Sequence, residues 1–306
     1  MTSFLLPDDI HVFERGWLSS NNILFDDGKT SWLVDSGYST HSAQTLALVS
    51  SRLGARPLDV LINTHLHSDH CGGNRALQDK YPSLITQIPS GQAEHVKSWD
   101  AAALTYDVTG QQCPQFSYSQ TLTPPTSIRL GLHSWDIYSA PGHDPDAVLL
   151  FEPSRRILIS GDALWENGFG VVFPELEGAN AFDQVLATLK LIESLAPQMV
   201  IPGHGRVFSY TPEVMSTARQ RLEAFIQSPI RHARHAVKVL LKFKLLEVQQ
   251  QPIVLFMQWA EETPYLHTCR ERFFNALDFA SFIEKMCAEL VSSGVAHIAD
   301  KTIYNA

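Results

Sequence analysis

The sequence predicts an α/β fold over its longer first part and a mainly helical region after it. Two observations carry this expectation. Short apolar runs recur up to about residue 201, several ending in glycine or an acidic residue, with helix-like segments between them. From about residue 212 the apolar residues fall at spacings of three and four, the period of a helix surface.

Taken in order, Asn22–Phe25 and Ser31–Val34 read as hairpin strands around the turn signal Asp26-Asp27-Gly28. Thr40–Ser51 is helix-like, Leu58–Ile62 reads as a buried strand, and Cys71–Lys80 as another helix. Leu132–Ser139, Ile157–Ser160 and Met199–Ile201 read as strands. Asn180–Ser194 predicts an amphipathic helix through Phe182, Val185, Leu186, Leu189 and Ile192, closed by Pro197. The second part begins at Tyr210-Thr211-Pro212, where Thr211 caps a helix and Pro212 opens it. Helices are expected over Pro212–Ile226, Ile230–Val248 and Phe279–Ser292, and the tail Gly294–Tyr304 reads as a short hairpin or wing. The expected division is a domain over 1–210 and a helical, winged-helix-like C-terminal domain over 211–306.

The chemistry is concentrated in Thr64–His70, read Thr-His-Leu-His-Ser-Asp-His, where the buried strand gives way to a loop. Residues two apart in an extended stretch point the same way, so His65 and His67 can grip one ion. Asp69 and His70 follow in the turn and face a second position beside it. Imidazole with carboxylate suits zinc, with iron and manganese as close competitors. Downstream, Ala140-Pro-Gly-His143, Ile159-Ser-Gly-Asp162 and Ile201-Pro-Gly-His204 each place one ligand-type residue after a glycine; upstream, Trp32-Leu-Val-Asp35-Ser-Gly37 ends a strand in an acid and a glycine. Glycine lets the backbone turn sharply near an ion without a Cβ in the way.

With these motifs in this order, the chain from about Ile10 to about Arg206 resembles the metallo-β-lactamase superfamily. The resemblance implies an αββα sandwich with a dinuclear metal site on its edge. It assigns His65, His67 and His143 to a first metal, Asp69, His70 and His204 to a second, and Asp162 to a bridge between them. Asp35 corresponds to an acid that orients ligands and supports the loop. Two ions in such sites lie roughly 3.5–4 Å apart and share a water or hydroxide, which acts as the nucleophile. Asp69 and Asp162 neutralise charge and handle the proton, and the reaction class is hydrolysis.

Within the superfamily the ligand set resembles glyoxalase II, which shares His-x-His-x-Asp-His and the bridging aspartate. Gly168-Phe-Gly170 departs from the Gly-Cys-Gly-Arg run that often follows that aspartate there. The secreted β-lactamases of the best-known subclass carry cysteine where Asp162 stands, and iron-dependent flavoprotein relatives carry glutamate where His67 stands. The expected substrate is therefore a small-molecule thioester, ester or lactone. The stretch between Trp99 and Pro125 shows no clear period and reads as a lid or binding loop. Trp99, Tyr106, Phe116, Tyr118, Trp165 and Phe169 are weighed between walls of an apolar acyl pocket and core packing.

Composition sets the remaining limits. Hydrophobic residues make up 44% of 306, ample for a packed core. No apolar run approaches a membrane span, and Met1–Asp9 shows neither the basic region nor the apolar stretch of a signal peptide. The four cysteines, Cys71, Cys113, Cys269 and Cys287, show no close pair or metal-type spacing, which points to a reducing cytoplasm. Residues 212–306 carry 11 basic and 10 acidic residues, against 12 and 22 in 1–211. An acidic first part is a poor platform for a polyanion. Arg231, Arg234, Lys238 and Lys242 nonetheless share one helix face with His235. That face is read as solvated surface, with an anionic ligand or nucleic acid as the alternative, and endoribonuclease-like nucleic-acid processing is the second functional class. Membrane partners are not expected, and the oligomeric state, a homodimer included, is left open.

Overall fold

In the computed structural model, which describes residues 6–306, strands that are apolar throughout bury both faces. One sheet runs in spatial order through β1 (Ile10–Phe13), β2 (Asn22–Asp26), β3 (Ser31–Val34), β4 (Val60–Ile62), β5 (Ile85–Pro89) and β6 (Gln120–Leu122). The first three pair antiparallel and the rest parallel. The second runs β7 (Thr126–Leu130), β8 (His133–Ser139), β9 (Val148–Glu152), β10 (Ile157–Gly161), β11 (Met199–Pro202) and β12 (Phe208–Ser209), with only β10 and β11 parallel.

Alternation decides what each residue touches. Ile23, Phe25, Trp32, Val34, Val60 and Ile62 face the other sheet and meet Trp135, Ile137, Leu150 and Ile159 there. Leu24, Leu33 and Leu61, one residue out of phase, pack outward against α1 (Ser42–Leu53) and α3 (Asn74–Lys80), with the single-turn α2 (Ser68–Cys71) before α3. The short helices α4 (Ala93–Ser98) and α5 (Tyr106–Thr109) lie between β5 and β6, and α6 (Phe173–Glu177) follows β10. The outer face of the second sheet carries α7 (Ala181–Leu195) and α8 (Pro212–Gln227). Helices outside two facing sheets make the αββα sandwich expected above.

The C-terminal region adds α9 (Pro229–Val248), α10 (Ile253–Glu261), α11 (Pro264–Phe273) and α12 (Phe279–Ser292), with a small sheet of β13 (Gln250–Pro252), β14 (Ala296–Ala299) and β15 (Thr302–Asn305). Its core joins Leu240, Leu241, Phe256, Leu266, Phe282 and Met286, and takes in Val171 and Leu176 from the sandwich. The expected helices agree with the observed ones to within a few residues, apart from Cys71–Lys80, where the helix breaks at Gly72-Gly73 into α2 and α3. The expected terminal hairpin is β14–β15; α10, α11 and β13 had no sequence-based expectation.

Candidate metal centre

Strand ends along one edge of the sandwich deliver metal-capable side chains. Asp35 follows β3; His65, His67, Asp69 and His70 follow β4; His143, Asp162 and His204 follow β8, β10 and β11. The structure brings the seven expected ligand residues together. His65, His67 and His143 form one group, His65, His70 and Asp162 a second, and Asp69, His70 and His204 a third, each with donor atoms within 4.8 Å of one another. Asp162 reaches across the groups: its Oδ1 lies 3.4 Å from His70 Nε2, and its Oδ2 lies 3.4 Å from His143 Nε2 and 3.9 Å from His204 Nε2. Asp69 Oδ2 lies 3.0 Å from His204 Nε2.

The rings are held from behind. Asp35, at φ +59°, accepts from Thr64 N and Thr64 Oγ1 at 2.8 Å each and lies 2.7 Å from His70 Nδ1. Thr64 Oγ1 is in turn 3.1 Å from His65 Nδ1, and His143 Nδ1 donates to the Val171 carbonyl at 2.5 Å. Each bond fixes which ring nitrogen remains for the centre. The donor set fits a metal on this ground: Nε2 of His65 and of His70 is buried without any hydrogen-bond partner. A buried polar atom left unpaired costs about 1–3 kcal/mol. Two of them converging on carboxylates and further imidazoles mark a place for a cation.

Electrostatics point the same way. Burial, reinforced by the neighbouring histidines, pushes His65 well below its ordinary value, and burial takes His67 and His143 down to about 4. These rings are therefore neutral at neutral pH, the form that binds metal. Burial alone would also lower His70, but Asp162, Asp35 and Asp69 outweigh it and hold the ring well above the ordinary value. Burial alone would raise Asp162, and the His70 and His204 rings overcome it and hold the carboxyl well below the carboxylate range.

Two glycines are fixed by close approach. A Cβ on Gly203 would collide with Asp162 Oδ1, and one on Gly170 would lie 2.5 Å from His143 Nδ1. Aromatic side chains flank the centre. Trp17, 59% exposed, stacks on His204 at 5.6 Å between ring centroids and meets Trp165 at 5.3 Å. Trp165 Nε1 donates to Asp162 Oδ1 at 3.1 Å. On the other side Phe173 sits against His67 and His143 at 6.0 and 6.4 Å. Tyr265 of α11 braces Phe173 at 5.2 Å and donates its hydroxyl to the Phe173 carbonyl at 2.7 Å.

Several sequence-based expectations change here. Tyr106 and Phe116 are buried in a small core with Leu66 and Cys71, and half-buried Trp99 and Tyr118 pack against it. Phe169 lies in the core under α8. Of the six aromatics weighed as pocket walls, only Trp165 borders the centre. Cys71 and Cys113 prove to be neighbours, with sulfurs 3.8 Å apart. Three of the four cations on the basic face of α9 are engaged within the chain, and Arg231 is exposed. Arg234 and Lys238 lie 3.1 and 3.4 Å from Glu289 of α12, and Lys242 Nζ donates to the Val295 carbonyl, Asn305 Oδ1 and the Ala306 carbonyl at 2.6, 2.5 and 2.9 Å. Trp17, Phe173 and Asp144, which borders His67, were not anticipated; Trp17 and Phe173 reach the centre from distant segments, while Asp144 directly follows the ligand-type His143.

Comparison with known proteins agrees with this geometry. The sequence model of the Metallo-beta-lactamase superfamily matches residues 15–204. A probable metallo-hydrolase of Methanocaldococcus jannaschii is 27% identical over 64% of this chain and 95% of its own length. A hydroxyacylglutathione hydrolase of Bartonella henselae is 27% identical over 47% of both chains. An acyl-coenzyme A thioesterase of Gallus gallus is 26% identical over 51% of this chain and 59% of its own. The chain thus spans about half the length of the glutathione hydrolase. Among solved structures, a metallo-beta-lactamase family protein from Thermus thermophilus superposes with a TM-score of 0.58 at 16% identity, covering 99% of this chain and all of its own. That likeness is one of fold, and it extends through the C-terminal region.

Proposed function

Because this chain belongs to the metallo-β-lactamase superfamily, we propose that it is a dinuclear metal-dependent hydrolase of a small-molecule thioester, with esters and lactones as related substrates. The observation that carries the reading is the seven buried or half-buried ligand-type residues in overlapping groups, with Asp162 within reach of both halves. His65, His67 and His143 would hold one ion, Asp69, His70 and His204 the other, and Asp162 would join both. Zinc is the proposed metal, with iron and manganese as competitors, since imidazole and carboxylate donors suit all three. When bound, such ions supply Lewis acidity and bring the pKa of water down to about 7.

The chain's own groups would do the rest. Asp69 and Asp162 are the catalytic carboxylates, placed to orient the attacking water and carry its proton. Trp17 and Trp165 form an apolar wall on the His204 side and Phe173 another on the His143 side, and together they would exclude water and receive the acyl portion. Thioesters come first because both the glutathione hydrolase and the coenzyme A thioesterase are similar over about half of this chain. A small-molecule substrate is favoured over nucleic acid because Arg234, Lys238 and Lys242 are already engaged by the chain's own acceptors. Four free cysteines accord with a reducing cytoplasm, and no described helix is long and apolar enough to cross a membrane.

Elemental analysis of protein purified without added metal, followed by a thioester and ester panel, tests this reading. Two ions per chain and thioester turnover abolished by chelation are expected. One ion or none after supplementation, or turnover indifferent to chelator, overturns it.

A further inference from the structure

Of the three histidines of the first group, His65 and His143 are hydrogen-bonded through their outward nitrogens and His67 is not. His67 Nδ1 lies 2.8 Å from His143 Nε2, so both atoms face the same point. Its Nε2 therefore faces away, and the nearest carboxylate in that direction is Asp144, with Oδ2 at 3.8 Å. Asp144 is 2% exposed, and two bonds aim it. Asp146 N donates to its Oδ1 at 2.8 Å, and Gln92 Nε2 donates to its Oδ2 at 3.1 Å. Asp35 already holds His70 in this way, with Oδ2 2.7 Å from its Nδ1.

We propose that Asp144 is a positioning residue for metal binding: it accepts the Nε2 proton of His67 and so commits Nδ1 to the first ion. An imidazole that binds a metal through Nδ1 must carry its proton on Nε2, and that proton needs an acceptor in a buried setting. At 3.8 Å the pair is not yet a hydrogen bond, so the proposal requires the His67 ring to turn towards Asp144 when an ion is bound. A carboxylate behind the ring also raises the ligand's basicity and adds negative charge beside the cation. Asp144 does not touch substrate; it acts through His67.

The inference rests on the metal-centre reading, and the test separates the two. Wild type, Asp144→Asn, Asp144→Glu and Gln92→Leu are compared by chelator competition, by the visible spectrum of the cobalt-substituted protein and by thermal unfolding without metal. Asn at 144 keeps one acceptor and loses the charge, so it serves the Asp146 turn or His67 but not both. Affinity for the first ion should fall about 10–100-fold in Asp144→Asn, with an altered cobalt spectrum and an unchanged metal-free melting temperature. Asp144→Glu should recover much of the affinity, because the gap leaves room for a longer arm. Gln92→Leu, which frees one anchor of Asp144, should show a smaller loss, and it carries the test if Asp144→Asn does not fold. If wild type binds two ions and Asp144→Asn and Gln92→Leu bind them equally well, Asp144 serves only the Asp146 turn and the inference is overturned. If wild type binds no metal, the proposed function itself fails.

Discussion

The edge of the sandwich and helix α9 both carry histidines and charged residues at regular spacing, yet the structure uses them in opposite ways. At the edge, His65 and His70 each keep a buried Nε2 without a partner, and carboxylates converge on the same space. On α9 most of the polar groups have partners within the chain, and the one buried unpaired atom, His232 Nδ1, stands alone. His232 Nε2 accepts from Val172 N at 3.3 Å, His235 Nε2 lies 2.7 Å from Arg221, and Lys242 is tied to the C-terminal tail. The contrast teaches that titratable residues signal a site where several unpaired atoms and carboxylates converge on one space. Spacing alone does not distinguish the two.

Four substitutions or conditions sharpen this contrast. Asp162→Ala should cost the most, because it removes the carboxylate within reach of both halves. Turnover should fall on the order of 10³-fold or more, with loss of bound metal and little change in far-ultraviolet circular dichroism. Near wild-type turnover would contradict the assignment of the edge as a metal centre.

The buried histidines of α9 give the next effect. Burial lowers His232 to about 3 and His235 to about 4, with neighbouring positive groups adding to it. Below about pH 6.5 the unfolded chain takes up protons on these residues and the folded chain does not. Their contribution is therefore complete above pH 6.5 and is lost as pH falls towards 3–4. His232→Gln should flatten the fall in stability between pH 6 and 4 by up to about 1.4 kcal/mol per pH unit, read from urea unfolding. An identical slope would mean that His232 is not held neutral.

Lys242→Met should lower stability by about 1–2 kcal/mol through the lost bonds to the tail, while KM and kcat on a neutral thioester stay unchanged. A change in KM for anionic substrates with no loss of stability would return the basic face to a ligand-binding role. Arg231→Gln should do least: the side chain is exposed, and both stability, within about 0.5 kcal/mol, and turnover should be unaffected.

Much of the site was legible because each ligand lies next to a local signal: a strand end, a glycine or the His-x-His-x-Asp-His run. Strands β2, β3 and β4 were legible as apolar runs, but an unbroken run does not tell which residue faces which side. What escaped was long-range. Glu289 pairs with Arg234 and Lys238 some fifty residues earlier, Tyr265 braces Phe173, and Trp17 reaches His204 from the β1–β2 connection. Cys71 and Cys113 come together only because the segment after α5 folds back over α2. Helices α10 and α11 are short, and the nearly unbroken apolar run Ile253–Met257 conceals the helical period of the first. The stretch 99–125 is anchored by contacts that no local spacing marks: the buried Tyr106 hydroxyl donates to the Leu66 carbonyl at 2.9 Å.

The ligand residues divide almost evenly between the two layers of the fold: four follow β4 of one sheet, and three follow β8, β10 and β11 of the other. An ion gripping both sets is a cross-link that exists only once the sheets have met. Its binding free energy then stabilises the seam between the layers, by about 2.7 kcal/mol at a free metal concentration one hundred times the Kd. Metal supply would therefore govern how often that seam opens, and amide hydrogens at the ends of β4 and β10 would exchange faster in the stripped protein while those of α9 and α12 kept their protection.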